Sequence, residues 1–247
     1  NVSESLDTDL DGIGNNSDTD DDGDTVLDSE DAFPLDATES LDTDSDGIGN
    51  NADADDDNDG VPDAGSWVQL GQTIYGENTE DYSGRVSVSA DGSVIAIGAV
   101  GNDDNKAEAG QIRVFAFDGQ AWVQRGQDIN GKIDNERVGY FTSLSSDGSV
   151  LAFGAVCYDC VADRGSTRVY DWNGDSWIQR GEDIVGDTIG DWSGASVVLS
   201  ADGTVVASAA PLSDGSGTGE EAGQIRVHRW DGQSWVQRGQ DIDGEAA

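Results

Sequence analysis

The chain has 247 residues with 51 Asp plus Glu against 12 Lys plus Arg, a formal net charge of −39, and it holds 34 glycines, 2 cysteines and no methionine. That charge excludes docking on a phosphate backbone or an anionic membrane surface, so nucleic acid and membrane insertion are not expected. No run approaches the ~20 apolar residues that span a bilayer, and the chain opens at Asn1, as a processed product or an excerpt does.

The charge divides the chain in two. Residues 1–65 carry 23 acids and no base, leaving 28 acids and all 12 bases to residues 66–247. Composition alone would leave the first segment disordered, but its spacing is ordered. Asp7, Asp9 and Asp11 precede Gly12, followed by Ile13, Asn15 and Asp18 at positions 7, 9 and 12 counted from Asp7. Alternate carboxylates converge on one cation, a glycine permits the sharp turn, and the next carbonyl supplies an oxygen: the grammar of a calcium loop. It recurs with Asp20, Asp22, Asp24, Val26, Asp28 and Asp31, where Thr25 stands at the glycine position. Asp42, Asp44, Asp46, Ile48, Asn50 and Asp53 form a third loop, and Asp55, Asp57, Asp59, Val61 and Asp63 a fourth, with Ser66 at its position 12. Starts at 7, 20, 42 and 55 leave no room for EF-hand helices and make a pair of loops repeating every 35 residues.

The motif LDTDSDGIGNNADADDDNDGVPDA after the spacer SEDAFPLDATES resembles thrombospondin type 3 repeats over residues 6–64. The resemblance implies about four or more Ca2+ ions wrapped by a chain with little regular structure, the metal replacing a hydrophobic core. Thr25 and Ser66 depart from that pattern.

From residue 66 a different repeat begins. Trp67, Trp122, Trp177 and Trp235 each open a copy of S/A-W-V/I-Q-x-G, with copies starting near 66, 121, 176 and 234. A period of this length points to a propeller or solenoid. Within each copy an alternating run follows Gly84, Gly139 or Gly194, then an Asp-Gly turn, an apolar run (SVIAIGAV, SVLAFGAV, TVVASAA), and QIRVFAF, STRVYDW or QIRVHRW. Period-two alternation with Asp-Gly and Asn-Gly turns predicts four antiparallel strands per copy. The apolar runs need cover on both faces, which stacked blades supply. The expected fold is mostly β: an irregular calcium-wrapped segment, 1–65, then three four-stranded propeller-type blades plus one extra strand, 66–247.

RVSVSADG, VIAIGA, IRVF and WVQRG make this region resemble the FG-GAP, integrin-alpha type of β-propeller repeat in its secreted bacterial form. The resemblance implies binding through blade loops; the calcium loop often found between the first two strands of such blades is shortened here to an Asp-Gly hairpin.

Three blades do not close a ring of ~4–8. Either the chain is an excerpt of a larger propeller, or SWVQLGQTIYGE and SWVQRGQDIDGE at its two ends let one chain's terminal Trp strand occupy the place vacated in the next, a head-to-tail self-association that propagates as a fibre. Cys157 and Cys160 read as a loop disulfide of an oxidising compartment rather than a zinc or redox site. His228 lacks partners for catalysis, so no catalytic residue and no enzyme is expected. Phe117, Trp172 and Trp230 each fall five residues before a Trp across a turn, as cross-strand pairs do. Glu80, Asp81, Tyr82, Asp191 and Trp192 make a candidate face for a glycan or surface protein. Thr25 and Thr188 sit in Asp-Thr-aliphatic triplets of O-glycosylation type, and Asn1 and Asn15 in Asn-x-Ser triplets. The reading is a secreted, cell-surface calcium-binding structural or adhesion protein, with a binding propeller of a larger adhesin or an accessory module of a secreted hydrolase as alternatives.

Overall fold

The computed structural model describes residues 6–60, 62–63, 69–157, 160, 163–214 and 222–244. The chain forms two compact units, residues 1–68 and 69–247. Among the described residues of the first there is no helix or strand; turns and bends succeed one another. Most of its large apolar side chains are exposed, Leu10 at 82 % and Leu41 at 62 %, so among the described residues no oil-like core holds it.

The second unit is all β. Strands β1 (Ser83–Val88), β2 (Val94–Ala99), β3 (Gln111–Phe117), β4 (Trp122–Gln124) and β5 (Ile129–Asn130) make one antiparallel sheet. The second sheet holds β6 (Thr142–Leu144), β7 (Val150–Ala155), β8 (Ser166–Trp172), β9 (Trp177–Gln179) and β10 (Ile184–Val185). The third holds β11 (Ser196–Leu199), β12 (Val205–Ala210), β13 (Gln224–Trp230), β14 (Trp235–Gln237) and β15 (Ile242–Asp243). Each blade has the four expected strands, the fourth broken into two pieces that pair with the same third strand. A left-handed glycine makes each break: Gly126, Gly181 and Gly239 have φ of 83°, 73° and 83°. The extra strand expected at Trp67 lies outside the described residues.

The Asp-Gly turns are closed by their own side chains. Asp91 accepts from the Ser89 hydroxyl (2.6 Å) and the Ser93 amide (3.0 Å), while Ser89 Oγ accepts from the Val94 amide (2.9 Å). The same set recurs at Ser145–Asp147–Ser149 and Ser200–Asp202–Thr204. These bonds hold the Asp91 and Asp202 carboxyls down to about 2.

Cover on both faces is realised in the central blade, where all six residues of β7 are buried. Val94, Ala96, Ile112 and Val114 of blade one pack with Leu144, Leu151 and Phe153 of blade two, and Val150, Ala152 and Val169 with Leu199 and Val206 of blade three. Polar bonds reinforce these seams. The indole N–H groups of Trp122, Trp177 and Trp235 donate to the carbonyls of Leu70, Arg125 and Arg180, one repeat back, at 2.8, 2.8 and 2.9 Å. Phe117–Trp122, Trp172–Trp177 and Trp230–Trp235 are cross-strand pairs with ring centroids 5.3, 5.5 and 5.4 Å apart. Cys157 and Cys160 form a disulfide after β7.

Candidate metal centres and the loop face of the blades

Each acidic loop is shaped by Asx turns, in which a side-chain oxygen accepts the amide two residues on. Asp9 accepts from Asp11 (3.0 Å), Asp11 from Ile13 (2.7 Å), Asp44 from Asp46 (3.0 Å) and Asp46 from Ile48 (2.8 Å). The first carboxylate reaches across to the sixth residue: Asp7 accepts from Gly12, Asp20 from Thr25, Asp42 from Gly47 and Asp55 from Gly60, at 2.9–3.2 Å. That crossing needs a left-handed sixth residue, with φ of 97°, 82°, 92° and 87° at Gly12, Thr25, Gly47 and Gly60. Thr25 adopts it despite its Cβ, at a cost of about 1–2 kcal/mol.

The outcome is four clusters, Asp7/Asp9/Asp11, Asp20/Asp22/Asp24, Asp42/Asp44/Asp46 and Asp55/Asp57/Asp59, each with three carboxylate oxygens within 4.8 Å of one another. Several oxygens are buried without a hydrogen-bond partner: Asp7 Oδ1, Asp22 Oδ2, Asp31 Oδ2 and Asp42 Oδ1. Buried polar atoms of native proteins are nearly always satisfied, and a hard, oxygen-seeking cation would satisfy these. Burial pushes the Asp22 carboxyl up from its ordinary value, with Asp24, Asp31 and Asp20 adding repulsion. The donor set, all carboxylate and carbonyl oxygen, fits Ca2+ and not a soft metal.

Position 9 has a bracing task. The amides of Asn15, Asp28, Asn50 and Asp63 donate to the carbonyls of Leu6, Thr19, Leu41 and Ala54, closing each loop. Their side chains hold position 2: Asn15 Oδ1 accepts from the Thr8 amide (3.1 Å) while its Nδ2 donates to Thr8 Oγ1 (2.9 Å), and Asn50 treats Thr43 likewise. Asp28 accepts from the Asp21 amide, and Asp63 from Asp56. Asp18 and Asp53, at position 12, cap the start of the following loop through the amides of Asp20 and Asp55. Val61 falls outside the described residues. Glu39, buried and bonded to the Asn51 amide (2.9 Å), folds the spacer onto the third loop. No loop motif marks it; its equivalent one 35-residue period earlier is Glu4, outside the described residues.

The loop face of the blades has its own three-fold pattern. Residues 80, 135 and 190 are left-handed (Glu80 70°, Asn135 60°, Gly190 92°), as are Tyr82, Arg137 and Trp192 (51°, 52°, 57°). Between them lie the buried acids Asp81, Glu136 and Asp191. Asp81 and Asp191 accept loop amides from Asn78 (3.0 Å) and Thr188 (3.1 Å), so they anchor the loops while their neighbours are displayed. Glu136 likewise accepts the loop amides of Lys132 and Ile133 and in addition takes the guanidinium of Arg168, which also holds Asp183 at 2.8 Å. Burial alone would lower the Arg168 pKa; Glu136 and Asp183 more than offset it. A cleft of about 480 Å³ is lined by Glu80, Tyr82, Asp103, Glu108, Arg137 and Tyr140. Bulky residues with positive φ are uncommon and gather at functional loops. His228 is buried in β13, and burial lowers its pKa.

No family model matches the chain, and no curated protein does. Among solved structures, the β-propeller domain of the trilobed protease from Pyrococcus furiosus, described as an open velcro topology, has a TM-score of 0.42 at 11 % identity, covering 66 % of this chain and 43 % of that one. Kuenenia stuttgartiensis hydrazine synthase has a TM-score of 0.41 at 15 % identity, covering 73 % and 40 %. The periplasmic gluconolactonase of Pseudomonas aeruginosa has 0.36 at 16 %, covering 64 % and 56 %. This chain thus spans less than two thirds of each.

Proposed function

We propose that this is an extracellular, calcium-binding structural and adhesive protein without enzymatic activity: an acidic segment stiffened by Ca2+ and a stack of blades that binds protein. The observation that carries the calcium half is the set of buried, unpartnered carboxylate oxygens in preshaped loops. Three carboxylates within 4.8 Å repel by roughly 1 kcal/mol per pair in water and ~3 at an effective dielectric near 20, so each loop opposes its own closure until a cation enters. Free calcium at ten times the site constant contributes about 1.4 kcal/mol per site, or roughly 6 over four, enough to decide the order of a segment with no apolar core. A millimolar-calcium, oxidising compartment suits both these loops and the Cys157–Cys160 disulfide.

Circular dichroism and small-angle scattering of the chain in calcium and in EGTA test this. Expansion on chelation, reversed by Ca2+ and not by Mg2+, is the expected result; scattering unchanged by EGTA would refute it. A second reading concerns the displayed face: Tyr82 and Glu80 beside the 480 Å³ cleft favour contact with a surface protein or glycan there, and a glycan array probed with wild type and Tyr82→Ala tests that contact.

A further inference from the structure

The two seams between blades are built alike, and among the described residues the sheet faces at the two ends of the stack lack most of that cover, although Leu70, Gln72 and Tyr75 already make the fourth-strand contacts to Trp122 and Arg113 at the front of blade one. In a seam, the leading blade offers an apolar outer face and the following blade covers it. Val94, Ala96, Ile112 and Val114 are 0–4 % exposed beneath blade two, and Val150, Ala152, Thr167 and Val169 are 0–3 % exposed beneath blade three. The matching residues of blade three, Val205, Ala207, Ile225 and Val227, have no following blade among the described residues; Ile225 is 43 % exposed. The covering side behaves in the same way. Leu144 and Leu199 are each 8 % exposed inside the seams, whereas their counterpart Val88, on the front of blade one, is 58 % exposed.

The polar bonds match. The Ala90 amide donates to the Ser146 carbonyl (2.9 Å) and the Ser146 amide to the Ala201 carbonyl (2.8 Å). Arg125 reaches the Gly148 carbonyl (3.1 Å), and Arg180 the Gly203 carbonyl (2.7 Å). The next donors in the series are the Ala201 amide and the Arg238 guanidinium on blade three. The preceding acceptors are the Ala90 and Gly92 carbonyls on blade one. Space agrees: a Cβ on Gly148 or Gly203 would strike Val94 or Val150 of the blade before, whereas one on Gly92 meets nothing within 4 Å.

We propose that the occupant of these faces is a second copy of this chain, joined head to tail, with β11–β13 of one copy covered by β1–β3 of the next. This rests on reading the blades as a protein-binding stack and names the partner. Both halves of a heterologous interface stand on one molecule, in the register of seams already made twice within it. Residues 66–77 and 234–245 match at nine of twelve positions; β14 and β15 already pair with β13, so they hold the fourth-strand place at the joint and the next copy's Leu70–Tyr75 stretch yields it. The joint lacks one bond: Ser87 and Ser143 accept the amides of Leu144 and Leu199, and blade three has Val198 there instead.

Val88→Glu and Ile225→Glu place a carboxylate on one face each, at exposed sites that cost the monomer little. Light scattering coupled to size exclusion, over a concentration series, reads mass. Wild type is expected to associate, and either variant alone to associate about a hundredfold more weakly, as a buried unpaired charge dictates. Mixing the variants restores one intact joint and gives a particle of two chains. A wild type that stays monomeric, variants that associate like wild type, or a mixture that stays monomeric overturns the proposal. The readout is separable from the calcium reading: association that persists in EGTA while the circular dichroism changes supports both, and a calcium-responsive chain that never associates refutes this one alone.

Discussion

Three arginines occupy the same place in the third strand of each blade, and their removal separates buried from exposed ion pairing. Arg113, Arg168 and Arg226 are all under 10 % exposed. Their partners differ. Arg168 binds Glu136, whose side chain is 6 % exposed, and Asp183, at 25 %. Arg113 meets Glu77 at 3.5 Å, with 37 % of that side chain exposed, and Arg226 meets Asp187 at 2.8 Å, with 60 % exposed. Removing Arg168 strands a buried carboxylate, which costs ~3–5 kcal/mol. Removing either of the others frees an acid that water resolvates, leaving the lost bonds to the Tyr75 carbonyl, or to the Val185 carbonyl and Ser193 hydroxyl, about 1–2 kcal/mol in each variant. The three Arg→Met variants, unfolded in urea and followed by tryptophan fluorescence, should rank with Arg168→Met the least stable by at least ~1 kcal/mol. Restoring much of that loss by adding Glu136→Gln would confirm the stranded charge. Equal losses in all three variants would refute the reasoning.

Thr25→Gly relieves the left-handed strain of the second loop while loosening the unfolded chain, a net gain of about 0.5–1 kcal/mol read as a several-fold tighter calcium isotherm. Gly154→Ala drives a Cβ into the Gly194 carbonyl across the seam between blades two and three, and should cost ~2 kcal/mol or more in urea unfolding. Asp91 and Asp202 have folded pKa values depressed to about 2, so their contribution is present above about 3.8 and lost as pH falls toward 2; Asp202→Asn should flatten that limb of an acid titration. Asp22 has the opposite sign: its raised pKa favours the folded acidic segment at low pH, and that contribution fades as pH rises, so calcium-free protein should compact on mild acidification.

The blades were legible because their signals are local: the Asp-Gly turns, the alternation, and a tryptophan that returns at a fixed step. The broken fourth strand was not, since Ile129, Ile184 and Ile242 follow Gly126, Gly181 and Gly239 too closely for periodicity to separate two short pieces. In the acidic segment the convergence of positions 1, 3 and 5 followed from spacing alone. The bracing of Thr8 and Thr43 by Asn15 and Asn50 did not, because spacing alone does not show which neighbour an amide side chain reaches. Asp81 and Asp191 were grouped with Tyr82 and Trp192 as one displayed face; burial divides them, and only the left-handed backbone on either side explains how adjacent residues point opposite ways.

The indole bonds between blades have backbone carbonyls as acceptors, those of Leu70, Arg125 and Arg180. A carbonyl is present whatever side chain it carries, and here it is carried once by leucine and twice by arginine. Joints of this kind survive drift at the accepting position, so a blade copied, deleted or moved within a gene still meets a usable neighbour. The unit of inheritance and the unit of assembly are then the same roughly 55-residue piece, and stack length becomes a quantity that recombination sets directly.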